Sequence, residues 1–403
     1  KVTIHPSWST KAITTNVDRD GRWKVAVPTP EAGGPYTIEL SDGERLTLRD
    51  VLIGEVWLCS GQSNMEMPMR GFYTQPVEGS ADMIIRAKAS TPIRLCTVNR
   101  TTARTPQEEC TAQWQKNTPE AVAGTSATAY YFAQYLQSVL DVPVGIIVTC
   151  WGGTPVEAWM DREALAPFTE FDLSFLDNPA KIENPQYKPC GLYNGMIAPL
   201  APFTIKGFLW YQGESNIHTG NAHLYSQYMQ QLVSLWRNEW GNQQMPFYYV
   251  QIAPFVYEGD DKTSVPLIVE QQLAAMDKIP YSGMASTTDI GSGPCIHPSQ
   301  KIPVGERLAL LALSKTYGKK GLICESPRFE SVRFEDGKAI VRFKTEGTLG
   351  PDYSGRIKGF EIAGADKIFV PARAEYIVGQ PEIAVSSTIV ENPVAVRYAF
   401  RNV

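Results

Sequence analysis

Five short apolar runs, separated by segments with a helical hydrophobic period, confine the middle of this chain to one kind of architecture. The runs are Val51 to Leu58, Val144 to Thr149, Ile205 to Tyr211, Pro246 to Ile252 and Gly283 to Thr287. Each is short and almost continuously apolar, the pattern of a strand covered on both faces. Between and after them, Ala129, Phe132, Ala133, Leu136, Val139 and Leu140 share one helical face. Leu224, Tyr228, Leu232, Leu235 and Trp236 share another, and Val304, Leu308 and Leu311 a third. This alternation predicts a parallel sheet between layers of helix, an α/β/α sandwich. Ligands of such open sheets gather beyond the carboxyl ends of the strands.

The two ends of the chain read as β structure alone. Trp23 to Val27 and Pro35 to Leu40 near the start, and Lys338 to Phe343, Gly359 to Ile362 and Val394 to Phe400 near the end, are strand-like runs with no helical period between them. They predict a β-sandwich-like companion region, built from both ends or as two small units. The expected divisions are an N-terminal β region over 1–50, a catalytic domain over 51–322 and a C-terminal β region over 323–403. A chain of 403 residues exceeds one typical core, which agrees with that division. Residues 66 to 120 and 160 to 200 are rich in Pro, Gly and polar side chains, and are expected as long excursions over the carboxyl edge of the sheet.

Charge and composition remove several functions. A formal net charge of -5 without long Lys/Arg runs argues against nucleic acid or an anionic membrane surface as partner. No run of about 18 apolar residues is present to span a bilayer as a helix. The chain opens at Lys1 inside a strand-like run, which reads as a processed or trimmed start whose export signal is already gone. Seven cysteines leave at least one thiol unpaired. Cys96 and Cys110 are close enough in sequence to bridge a loop, while Cys59 and Cys150 sit in apolar strands. There is no Cys-x-x-Cys, and His218 and His223 are five apart, out of phase for a helical zinc pair, so neither a metal nor another cofactor is expected.

The chemistry concentrates where the predicted strands stop. The first run continues into Cys59-Ser60-Gly61-Gln62-Ser63-Asn64-Met65, a small-residue turn that presents Ser63 at the strand's carboxyl end. A bare Gly-x-Ser is more often an ordinary helix cap, and here the second glycine of a nucleophile elbow is replaced by Met65. Three further stretches end other strands or lie in the loops after them: Trp151-Gly152-Gly153-Thr154, Trp210-Tyr211-Gln212-Gly213-Glu214-Ser215-Asn216 and Ile296-His297-Pro298. A serine cleaves an ester only when a base takes its proton and donors hold the oxyanion. Of the four histidines, His297 lies in a loop ahead of the helix near Val304, where it can face Ser63. His5 falls in the N-terminal β region, and His218 and His223 follow Glu214.

In order and in content these stretches resemble the sialate O-acetylesterase family of SGNH-type hydrolases, over most of the chain. The resemblance implies a serine carboxylic-ester hydrolase, without cofactor, that removes acetyl groups from O-acetylated sialic acid through an acetyl-enzyme. It also implies a periplasmic or extracellular location. Ser63 would be the nucleophile and His297 the base. The oxyanion donors would be the Ser63 N–H, a glycine N–H with Gly153 preferred to Gly152, and a side-chain amide with Gln212 preferred to Asn216.

The wider superfamily carries an Asp three residues before the histidine, and Pro294 stands there instead, followed by Cys295. Glu214 is the first candidate to orient His297. Asp289, folding back through Gly291-Ser292-Gly293, is the second, and a dyad held by a backbone carbonyl the third. An acetylated xylan or another plant glycan is the alternative substrate. A glycan-binding protein on an esterase fold with decayed machinery is the alternative of another class, against which the intact Ser63, Gly153, Gln212 and His297 speak. A paired-carboxylate glycosidase would leave Ser63 idle.

Overall fold

The computed structural model describes residues 1–178, 180–201, 203–257, 259, 262–291, 293–347, 349–350 and 357–401. Its centre is a seven-stranded sheet. Across the sheet the strands run Ser282–Ala285, Phe247–Val250, Gly207–Tyr211, Glu55–Gly61, Val144–Cys150, Ile93–Val98 and Ala112–Lys116. All neighbours are parallel except the last pair. From Glu55–Gly61 the chain first winds toward one edge of the sheet and later toward the other. The crevice at its carboxyl end is therefore the topological switch point, where open α/β sheets bind ligands.

Alternate residues along the strands feed two separate cores, as the two-residue period demands. Leu58, Ile147, Phe208, Trp210, Phe247 and Tyr249 belong to one, under the helices Tyr225–Glu239 and Ser264–Lys278. Trp57, Cys59, Ile146, Val148, Leu209 and Tyr211 belong to the other, under Ala127–Leu140 and Ile302–Leu311. Burying each of the larger apolar side chains stabilises the fold by about 2–3 kcal/mol. The expected helical faces at Ala129, Phe132, Ala133 and Leu136, and at Val304, Leu308 and Leu311, are buried. Val139, in the last turn of its helix, is 42% exposed.

Several expectations are corrected. Val51 to Leu58 is not one strand: Arg45–Ile53 pairs in the N-terminal sheet, and Glu55–Gly61 in the central one. Gly54 marks the change, because a Cβ there would lie 2.0 Å from the carbonyl oxygen of Pro143. The 66–120 stretch, read as excursion, supplies two strands of the central sheet. Trp23 to Val27 forms no strand.

The remaining β structure lies in three antiparallel sheets. One, from the start of the chain, has the order Ile13–Thr15, Val2–Pro6, Gly33–Ser41, Arg45–Ile53. The other two come from the end of the chain: Arg328–Glu335, Lys338–Lys344, Glu382–Ser386, Arg373–Tyr376, and then Val370–Pro371, Phe360–Ala363, Ala395–Tyr398. Val341, Phe360, Ile362 and Val385 form a small core that joins the last two. All seven cysteines are free thiols, Cys96 and Cys110 included. Among the described residues no helix is long and apolar enough to cross a membrane.

Candidate active site

Ser63 stands where the middle strand of the sheet must turn sharply into a helix. Gly61 makes that possible, since at its φ of 138° a Cβ would meet the Tyr211 carbonyl oxygen at 2.1 Å. The Gln62 N–H donates to that same oxygen at 3.0 Å and closes the turn. Ser63 then opens the short helix Ser63–Glu66. The amino end of Ala127–Leu140 grips this helix from below. Ser126 donates to the Met65 carbonyl while accepting from Ala129 N–H at 3.1 Å, and Thr128 Oγ1 donates to the Asn64 carbonyl at 3.2 Å. The Ser63 turn is thus fixed by hydrogen bonds from two neighbouring elements.

His297 reaches it from the loop that joins Ser282–Ala285 to Ile302–Leu311. Its Nε2 lies 2.8 Å from Ser63 Oγ. Its Nδ1 lies 2.7 Å from Gln75 Oε1. An amide carbonyl only accepts, so Nδ1 carries the proton and Nε2 turns its lone pair to the serine hydroxyl. Burial, with the Lys301 ammonium adding to it, lowers the His297 pKa to about 4, so the ring is neutral at physiological pH. Gln75 is delivered by a tight turn in which Phe72 and Gln75 exchange backbone hydrogen bonds of 3.0 Å each. The Phe72 ring packs edge-on against the imidazole at 5.2 Å.

Neither carboxylate expected at Nδ1 is there. Glu214 Oε1 accepts from Asn64 Nδ2 at 2.6 Å, and burial raises its pKa. Asp289 faces away, bound through both oxygens to Arg307 at 2.7 and 2.6 Å, and that pairing lowers its pKa. The backbone carbonyl of the third alternative is also replaced. Its place is taken by a side-chain carbonyl from the stretch between the first strand and Ile93–Val98.

The donors sort themselves by what is already occupied. Gly152 N–H is spent on Glu66 Oε2 at 2.8 Å, and Glu66 Oε1 is held by Arg100 Nε at 2.8 Å. Among the described residues the N–H groups of Ser63 and Gly153 donate to no protein acceptor. The amide expected of Gln212 is not free: fully buried, its Nε2 faces Gln62 Oε1 at 3.1 Å, Asn216 Oδ1 at 2.7 Å and Thr154 O at 3.2 Å. Asn216 in turn donates to Glu157 Oε2 at 3.0 Å. The two amides brace the third strand's turn from within rather than face the serine. A Cβ on Gly153 would come 3.6 Å from the Tyr187 ring, and Tyr187 lines a cavity of about 550 Å³ whose walls carry Phe171 and Phe175, the cations Lys181 and Lys188, and several carboxylates including Glu170 and Glu183. His218 and His223 are exposed.

Sequence reasoning passed over Gln75, Phe72, Glu66, Arg100 and Lys301. A glutamine in a polar loop carries no signature, and its role exists only once the turn has folded onto His297. Lys301 likewise carries no signature: what sets this lysine apart, complete burial four residues after the histidine, is visible only in the folded chain.

The chain is similar to several known proteins. Residues 53–314 match the family model described as carbohydrate esterase, sialic acid-specific acetylesterase. A sialate O-acetylesterase of Pongo abelii is 31% identical over 363 residues, covering 82% of this chain and 67% of that protein. One of Mus musculus is 28% identical over 456 residues, covering 97% and 81%. The crystal structure of a carbohydrate acetylesterase from Xanthomonas citri superposes with a TM-score of 0.89 at 35% identity, over 98% of this chain and 87% of that one.

Proposed function

We propose a serine mechanism for this protein on the premise of its family: the chain belongs to the sialic acid-specific acetylesterases among the carbohydrate esterases, and is a carboxylic-ester hydrolase acting on acetylated carbohydrate. Ser63 Oγ attacks the acetyl carbonyl carbon as His297 Nε2 takes the hydroxyl proton. The oxygen that becomes negative is held by the free N–H groups of Ser63 and Gly153. The tetrahedral intermediate collapses by breaking the bond to the sugar oxygen, which receives the proton from His297. Water then repeats the sequence on the acetyl-Ser63 ester, and acetate leaves. Gln75 keeps the imidazole in the tautomer that both halves require.

The 2.8 Å contact between Ser63 Oγ and His297 Nε2, from groups 234 residues apart, is the observation that carries this reading. The natural ester is proposed to be an O-acetylated sialic acid, supported by the family description and the matched relatives. The cavity beside Tyr187 is lined by aromatic side chains, by Lys181 and Lys188, and by the carboxylates Glu157, Glu170, Asp172 and Glu183, a mixed polar surface for the hydroxyls of the leaving sugar. Residues 51–322 are the proposed catalytic unit, since every reacting group lies within them, and the proposed location is periplasmic or extracellular. Hydrolysis of p-nitrophenyl acetate by the wild type and by Ser63→Ala tests the mechanism, and equal rates would overturn it. Acetate release from O-acetylated sialic acid and from acetyl xylan, compared by kcat/KM, tests the substrate. Preference for xylan would replace the sialic acid reading and leave the mechanism standing.

A further inference from the structure

Behind the reacting pair, a lysine, an asparagine and a glutamate form a chain closed off from water. Lys301 and Asn64 are 0% exposed and Glu214 is 4% exposed. Lys301 Nζ donates to Asn64 Oδ1 at 2.6 Å. Asn64 Nδ2 donates to Glu214 Oε1 at 2.6 Å and to the Ile296 carbonyl at 3.0 Å. An ammonium has donors only, so the amide oxygen must face Lys301, and both amide hydrogens then point the opposite way. Asn64 follows the nucleophile and Ile296 precedes the base. A single side chain therefore ties the two halves of the site together, and Lys301 determines which way round it sits.

Burying an ammonium and a carboxylate is costly unless geometry offsets the loss of water, and the proposed ester cleavage does not itself consume either group. Resting on the serine mechanism above, we propose that Lys301 is a positioning residue for ester cleavage: through Asn64 it locks the Ser63 turn to the His297 loop, and in its ammonium form it places a positive charge behind the imidazole. The groups that face this charge are Glu214, Cys295 and His297, with the Tyr211 ring 5.6 Å away and Tyr257 beyond Glu214 and Tyr211. Burial pushes the Lys301 pKa down to about 7 against the pull of Glu214 and Cys295. Below that pH the ammonium opposes protonation of His297, so the base stays available into the acid range.

The test compares the wild type, Lys301→Met and Lys301→Arg by kcat and KM for an acetyl ester from pH 4 to 9, with thermal melts to verify folding. Lys301→Met is expected to lower kcat about tenfold or more while KM changes less than about threefold, and to move the acidic limb of kcat/KM up by about one pH unit. Lys301→Arg is expected to return the limb to its wild-type place. An unmoved limb with kcat within about twofold of wild type in Lys301→Met overturns the inference. If Lys301→Met does not fold, Lys301→Gln takes its place and is judged by the same criteria. An inactive Ser63→Ala beside an unaffected Lys301→Met sinks this inference alone. Equal activity of the wild type and Ser63→Ala sinks the mechanism and the inference with it.

Discussion

Glu214, at the carboxyl edge of the central sheet, and Glu382, in the four-stranded C-terminal sheet, hold their protons in opposite ways. Burial raises the pKa of Glu214, and one intervening amide separates it from its counter-ion, Lys301. Glu382 meets Arg333 directly at 2.9 and 3.0 Å and Arg342 at 3.1 Å, and those bonds lower its pKa. Its arginines are 48% and 42% exposed. Glu361 resembles Glu382: burial alone would raise it, but the bonds from Arg397 and Arg401 outweigh that and leave it lowered. Direct contact with guanidinium groups keeps a carboxylate charged in the terminal sheets. Between Lys301 and Glu214, behind the Ser63–His297 pair, the charges are kept apart by one amide and dry, which suits the tuning of a base, the role proposed for His297.

The contrast breaks first at Ser63. Ser63→Ala is expected to lower kcat by about four to six orders of magnitude while the thermal midpoint moves by no more than about 3 °C, as esterase assay and calorimetry would show. A large loss of stability would mean that the hydroxyl serves the fold. Next comes Glu214→Ala, which leaves Lys301 buried without a counter-charge. A loss of about 3 kcal/mol is expected by urea denaturation, against a smaller change for Glu382→Ala, whose partners can turn to water.

Gln75 sharpens the comparison on the catalytic side. Gln75→Ala is expected to lower kcat about 10- to 100-fold. Gln75→Glu is expected to raise the acidic limb of kcat/KM by at least about one pH unit, because a carboxylate beside Nδ1 favours the imidazolium.

The smallest effect is on stability against pH. Glu382 has a folded pKa below its unfolded value, so its contribution is present above pH 4.5 and fades as pH falls through the lowered value. Glu214 has a raised folded pKa, so its contribution is present at acid pH and fades as pH rises from 4.5 through the raised value. Melts from pH 3 to 7 should therefore show opposite differences for Glu382→Gln and Glu214→Gln. Parallel curves would remove the distinction between the two regions.

The sequence reveals the parts of this molecule whose physics is local. Continuous apolar runs gave away the inner strands, and Ser63 and His297 were visible because a small-residue turn and a loop histidine follow such strands. Ile93–Val98 escaped because Arg94 and Thr97 interrupt it, and Ala112–Lys116 because it is an exposed edge with a polar composition. Gln212 looked like a donor from its place directly after a strand, but burial beside Gln62 and Asn216 gives its hydrogens to the interior. Gln75 and Lys301 depend on contacts spanning 222 and 237 residues, which no local pattern records.

The uncharged partner of His297 Nδ1 has a kinetic consequence. An amide carbonyl neither gains nor loses a proton anywhere that a protein stays folded, so nothing titrates on the far side of the ring. A hydrolase whose imidazole leans on an acid carries a second ionisable group there, reached only at still lower pH. Here a plot of log kcat/KM should descend with a slope of one, the signature of a single proton arriving at a single nitrogen.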